Sequence, residues 1–177
     1  VDALGFLGWE ARVLGDEDRA VRRCEEALKF TRQVGSGSLY IAYYVLGRVA
    51  ITRRQYAVAS VYLKELITHI DAFASPHKAA IESPPVHLGI QVFGILAAAQ
   101  AGSSTIQARR AAILFGAQAP MVGCLMNIIP PIERLEYEQA VASVHTALGE
   151  DAFASAYGEG RGMTTAQAIQ YALDEKD

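Results

Sequence analysis

The sequence predicts an all-α chain, a right-handed α–α superhelix of helical hairpins with a C-terminal helical cap. Three observations carry this. Apolar and small residues recur at spacings of three and four through most of the chain, as they do on helices with one buried face. An apolar-Gly pair recurs at Gly8, Gly47 and Gly94, 39 and then 47 residues apart. Periods of this size with a helix pair per unit mark a helical solenoid. The last third has its own start and stop signals for short helices, beginning at Pro130-Pro131.

The first hairpin is expected over about 1–34. Leu4, Leu7, Gly8, Ala11, Ala20, Cys24, Ala27 and Leu28 set its helical period. Gly15 stops the first helix, and Asp16-Glu17-Asp18 starts the second with a capping carboxylate and acidic first turn. The second hairpin, about 38–73, repeats the plan: Leu46-Gly47 matches Leu7-Gly8, and Ala59 matches Ala20. Gly8 and Gly47 would let paired helices approach closely, as would Ala20 and Ala59 from the other side. Gly35-Ser36-Gly37-Ser38 separates the hairpins, with Ser38 a candidate N-cap. Pro76, Pro84 and Pro85 oppose a continuous helix between the second and third hairpins. The third spans about 86–121 and turns at Gly102-Ser103-Ser104.

Capping helices are expected over about 131–174. Pro131 suits a first helical turn, and Leu135, Val141 and Ala142 are read as inward. Gly149 ends that helix. A short one follows from Glu150 to Tyr157, with Ala152, Phe153 and Ala156 on one side, and Gly158, Gly160 and Gly162 break it. Thr164-x-x-Gln167 is a capping box, opening a last helix with Ile169 and Leu173 inward.

Composition excludes several functions. Hydrophobic residues make up 51% of the 177, and the formal charge of −3 leaves no basic footprint for nucleic acid. The longest apolar run, Val92 to Ala99, is too short to span a bilayer, so no membrane contact is expected. Cys24 and Cys124 read as buried free thiols of a reducing, cytoplasmic compartment. The chain opens at Val1 directly in a helical pattern and reads as a piece of a longer protein.

Leu7-Gly8, Ala11, Gly15, Ala20 and Ala27 resemble a tetratricopeptide repeat. Leu4 stands where an aromatic often opens the first helix, and Tyr43 supplies it in the second repeat. A second resemblance covers roughly 88–175. Arg110-Ala111-Ala112-Ile113-Leu114-Phe115-Gly116-Ala117, Pro130-Pro131-x-Glu133-Arg134-x-Glu136-Tyr137-Glu138, Ala147 to Phe153, Glu159 to Thr164 and Gln167 to Leu173 resemble the C-terminal region of large bacterial LuxR-type, SARP-type and cyclase-linked ATPase transcriptional regulators. The resemblance implies a sensor or regulatory role for this region, with the ATPase and the DNA-binding or cyclase activities elsewhere.

Nothing in the spacing supports catalysis, and the chain is read as no enzyme. There is no phosphate-binding GxxxxGK[ST] loop, and Gly158-x-Gly160-x-Gly162 follows no strand. His69, His77, His87 and His145 form no metal-ligand pair on one helix face, so neither metal nor cofactor is expected. His77 and His87 flank the proline-rich segment and are read as solvated. Glu133, Glu136 and Glu138 are explained by the positive end of a helix dipole. Arg19, Arg22, Arg23, Lys29 and Arg32 interleave with Glu25 and Glu26 as a solvated face.

The candidate binding surface is the concave face, lined by the first helix of each hairpin. Its exposed positions would be Gly5, Trp9, Arg12, Tyr44, Arg48, Thr52, Gln91 and Ile95, with Trp9, Arg12, Tyr44, Arg48 and Gln91 the binding set. Aromatics and arginines dominate interface energies, and arginine pairs bidentately with carboxylates. The expected function is a non-enzymatic sensor or protein-interaction module that binds a protein, a peptide, a small ligand or other domains of its own chain. The alternative is a free-standing scaffold or peptide-binding repeat protein. The apolar side of the first helix, with Leu4, Phe6 and Leu7, suggests a homodimer through the N-terminal helices.

Overall fold

The computed structural model describes residues 2–34, 39–74 and 84–174, with the side chains of a few of these left aside. The described residues are all-α, ten α-helices with no strand. They fall into two compact units, Val1–Pro76 and His77–Asp177. Ser38 and most of the Pro76–Pro85 segment lie outside the described residues.

The first unit is two antiparallel helix pairs: α1 (Asp2–Val13) with α2 (Glu17–Val34), and α3 (Tyr40–Thr52) with α4 (Tyr56–Ala74). Both turns are set by backbone chemistry. Gly15 takes the left-handed conformation at φ 83°, where nothing crowds an added Cβ, so the glycine answers to the turn alone. The Oδ1 of Asp16 then accepts from the Arg19 N–H at 3.0 Å, capping α2 as expected. In the second turn the left-handed position is Arg54, at φ 58°. An L-residue there costs roughly 1–2 kcal/mol.

The paired glycines act as the repeat implies. A Cβ at Gly8 would collide with the Cys24 sulfur and come within 3.2 Å of the Ala20 carbonyl oxygen. At Gly47 it would meet Leu63 Cδ2 at 2.6 Å. Ala20 and Ala59 are fully buried. Helix α3 also packs on both α1 and α2, with Ile41 3.3 Å from where a Cβ of Gly5 would stand. Every residue of α3 from Ile41 to Ile51 is buried, as for a helix apolar on all sides.

The second unit is built on α6 (Thr105–Ala117), which packs against α5 (Pro84–Gln100), α8 (Pro131–Leu148), α9 (Glu150–Arg161) and α10 (Thr165–Leu173). The α5–α6 turn includes a 3₁₀ turn, Ala101–Ser103, and the Ser104 hydroxyl caps α6 by accepting from the Gln107 N–H. A Cβ on Gly94 would meet the Phe115 ring at 2.7 Å, so this pair also closes on a glycine. Between α6 and α8, a 3₁₀ turn at Ala119–Met121 leads into α7 (Val122–Ile128). The capping box of Thr164 and Gln167 at the start of α10 is present in both directions.

Four expectations in the tail are corrected. Helix α9 runs through Gly158 and Gly160 to Arg161. Glycine weakens a helix but does not end one, and Gly160 is needed where it stands. Its Cβ would strike the Ile113 carbonyl oxygen and lie 2.8 Å from the Ala117 nitrogen, so the α6 and α9 backbones touch there. Helix α8 is turned relative to the expected phase. Glu133, Tyr137 and Val144 are buried, whereas Leu135 is 48% exposed and Ala142 is exposed too. In α9 the buried face is Ala156 and Gly160, and Ala152 is exposed. Ile169 and Leu173 are half-buried, and the buried face of α10 is Thr165, Ala168 and Ala172.

Candidate functional site

The residues singled out from sequence divide between the units. Trp9 and Arg12 stand on α1, Tyr44 and Arg48 on the adjacent α3, and Gln91 on α5 of the second unit. Their expected exposure fails for most. Tyr44 is 1% exposed, Arg48 3%, Arg12 9% and Gln91 1%. Gly5 and Ile95 are buried as well, Trp9 is half-buried and Thr52 is exposed. The sequence reading assumed one buried stripe per helix, but α3 and most of α5 are enclosed on all sides.

In the first unit the Arg48 guanidinium lies 5.9 Å from the centre of the Tyr44 ring, within cation–π range. Trp9 leans on Phe6 with ring centres 6.1 Å apart. None of Trp9, Arg12, Tyr44 and Arg48 lacks a partner within the chain. The accessible part of this surface is therefore Trp9 with Phe6, which is 48% exposed. At the base of α3, Arg53 donates to Glu17 at 3.0 Å and Asp18 at 2.6 Å. These hydrogen bonds raise the guanidinium pKa above its ordinary value. They join the start of α2 to the end of α3, on the surface, where such pairs contribute little.

Two arrangements in the second unit were not foreseen. Arg110 donates to the Ala172 carbonyl at 2.9 Å and to the Asp174 carbonyl. Its guanidinium also lies 5.5 Å from the Tyr171 ring centre. It thus satisfies carbonyls at the C-terminal end of α10 and complements the negative end of that helix. Arg109 beside it pairs with Glu159 of α9. Burial raises the Tyr171 hydroxyl pKa, and Arg110 opposes that shift. No local signal announces this clamp, because its partners are more than 60 residues downstream.

The other is a buried polar layer. Gln118, fully buried at the end of α6, donates from Nε2 to the Tyr137 hydroxyl at 2.7 Å. The Tyr137 ring meets Phe115 edge to face at 5.4 Å. Burial pushes the Tyr137 hydroxyl well above its ordinary pKa, against the hydrogen bond from Gln118. Glu133, one turn earlier on α8, is buried at 1% exposure as well as standing in the first turn of its helix. His87, expected to be solvated, is 2% exposed. A sequence reader could have found part of this layer: Glu133, Tyr137 and Val144 share a face, but the neighbouring Leu135 outweighed a glutamate in judging which face is inward.

The remaining candidates have ordinary roles. His69 stacks on Tyr43 at 5.1 Å. His145 hydrogen-bonds to Glu150 at 2.8 Å across the α8–α9 corner and packs on Phe153. His77 and the Cys124 side chain lie outside what is described. Cys24 is a free, buried thiol, and burial pushes its pKa up to about 12, away from reactive thiolate chemistry. Among the described residues, no group of three or more His, Cys, Asp or Glu could hold a metal ion, and no helix is long and apolar enough to cross a membrane. No protein-family model, curated protein or solved structure matches the chain.

Proposed function

We propose that this chain is a non-enzymatic, cytoplasmic interaction module of a bacterial transcriptional regulator. In this reading the helix pairs are turns of a tetratricopeptide-type superhelix, and a protein or peptide partner docks on the α1–α3 side of the first unit. The observation that carries it is the adjacency of α1 and α3, with Trp9 and the exposed Phe6 packed together on α1 and the buried Arg48–Tyr44 pair on α3. A half-buried Trp beside an exposed Phe, with arginines close by, has the composition of an interface centre. The 39-residue repeat of the glycine contacts at Gly8 and Gly47 supports the architecture. Regulation would follow if the partner prefers one of two packings of the module against its neighbouring domains.

The test is selection of peptides from a random library on the purified chain, followed by affinity measurements with Trp9→Ala and Phe6→Ala. Truncating a central aromatic should weaken binding by about 2 kcal/mol or more, roughly thirtyfold. Arg12 and Arg48 are unsuitable as probes, since both are buried and removing either would disturb its own helix. Peptides that bind equally well to both variants would place the site elsewhere. Whether the reading frame continues upstream of Val1 into an ATPase domain separates a regulator module from a free-standing scaffold.

A further inference from the structure

The first unit repeats its backbone at a fixed offset. The Ala11 carbonyl accepts from the Asp16 N–H, and 39 residues on the Ala50 carbonyl accepts from the Gln55 N–H. The left-handed turn residues, Gly15 and Arg54, keep the same offset, as do the close approaches at Gly8 and Gly47. Positions on α1 and α3 therefore correspond residue by residue. One side of α3 meets the preceding pair: Ile41 lies against Gly5 of α1, and Arg53 donates to Glu17 and Asp18 of α2. Val45 and Val49 stand between them at four-residue steps, on the same face, and are buried. The counterparts of Val45, Val49 and Arg53 on α1 are Phe6, Glu10 and Leu14, and all three are exposed.

The row on α1 thus has the register of a surface that a helix pair covers, but with a glutamate where α3 has Val49. Covering Glu10 calls for a cation opposite it, since an unpaired buried carboxylate is costly. A second copy supplies one. In each copy α3 already occupies one side of the α1–α2 pair, so two copies meet through their open sides, about a two-fold axis. On α2 the open side carries Arg19, Arg23 and Phe30, which share a face. Glu17, which bonds to α3, is two residues from Arg19 and so on the opposite side. A Cβ on Gly8 would lie 3.6 Å from the Arg23 Cβ. Because α1 and α2 are antiparallel, Glu10 stands level with Val21, between Arg19 and Arg23. We propose that the chain forms a two-fold dimer in which α1 of each copy lies antiparallel on α2 of the other. A two-fold axis along the helices preserves these levels, so each Glu10 meets Arg19 and Arg23 of the other copy. Arg23 pairs with Glu26 at the surface of its own helix, a weak contact from which it turns at little cost. The other two-fold arrangement, α1 on α1, would bring the two Glu10 carboxylates together, which like charge disfavours.

The test is sedimentation velocity on the purified chain and on charge-reversed variants, with helix content followed by circular dichroism. Reversible dimerisation of the wild type is expected. Glu10→Arg should weaken it by about tenfold or more, and so should Arg19→Glu combined with Arg23→Glu. All three substitutions together should restore most of the wild-type affinity, which damage to the fold would not do. Arg19→Glu alone replaces the pair if the pair lowers helix content. A monomer at every concentration, a dimer that Glu10→Gln tightens, or no recovery in the combined variant would each overturn the proposal. These variants leave Trp9 and Phe6 in place, so the dimer is tested apart from the docking of a peptide partner.

Discussion

At position 24 a thiol fills the space that a glycine opens. Gly8 has no Cβ because the Cys24 sulfur stands there, and Ala20 closes the same gap one turn earlier. Burial raises the thiol pKa from its ordinary 9.0 to about 12, and this has a direct consequence for stability. Below pH 9 the thiol is protonated whether the chain is folded or not, and its contribution is complete. Between 9 and 12 the unfolded chain gives up the proton while the folded one keeps it, so stability falls as pH rises. The slope from this one group is at most about 1.4 kcal/mol per pH unit. Denaturant titrations at pH 8, 9 and 10 should show the decline, and Cys24→Ala should flatten it even if that variant is less stable throughout. An identical slope in the variant would assign the decline to the tyrosines. Arg54 illustrates the opposite limit of residue-level reading. It occupies the left-handed turn position that Gly15 fills one repeat earlier, and its strain was not foreseen from the arginine itself.

The helices of the second unit show how packing overrules local signals. Three glycines between Gly158 and Gly162 read as a break, yet α9 runs through two of them. Contact with the α6 backbone offsets what the glycines cost in helix propensity, about 1 kcal/mol each. Gly160→Ala should therefore destabilise the chain although alanine is the better helix former. Its methyl would enter the Ile113 carbonyl, and overpacking of this kind costs ~3 kcal/mol or more when backbones must part. Gly158→Ala, where nothing lies within 4 Å of the added Cβ, should stabilise by roughly 0.5–1 kcal/mol. Urea midpoints of the two variants should move in opposite directions, and a shift of the same sign would remove the argument from close approach. The rotation of α8 has a similar origin. Leu135 faces outward because the inward positions must meet Gln118 and Phe115, which Tyr137 does with its hydroxyl and its ring edge.

For the molecule as a whole, the repeat makes an exposed surface meaningful. Thirty-nine residues separate equivalent positions in the two hairpins of the first unit. Phe6 and Leu7 correspond to Val45 and Leu46, which α3 buries, and Leu14 corresponds to Arg53, which bonds to α2. The stripe on α1 that has these equivalents is open: Phe6 is 48% exposed, Leu7 40% and Leu14 72%, with Phe30 of α2 exposed alongside. The repeat thus leaves this face of α1 exposed, and in the homodimer expected from the sequence a second copy would cover it. Sedimentation velocity over a hundredfold concentration range should show self-association. Leu7→Glu should abolish that association without loss of helix content, because the side chain is outside the core. A wild-type chain that remains monomeric throughout would rule out the homodimer.

The sequence by itself determined the helical class, the pairing of the hairpins through Gly8, Gly47 and Gly94, the Asp16 cap and the Thr164–Gln167 capping box. These depend on contacts within a turn or between adjacent helices, so spacing alone encodes them. Tertiary structure alone decided which side of each helix is inside, that Tyr44, Arg48 and Gln91 are enclosed, and that Arg110 reaches the end of α10. Such choices follow from where distant helices cross, and a helical pattern of spacing three and four reads the same whichever neighbour arrives to cover it.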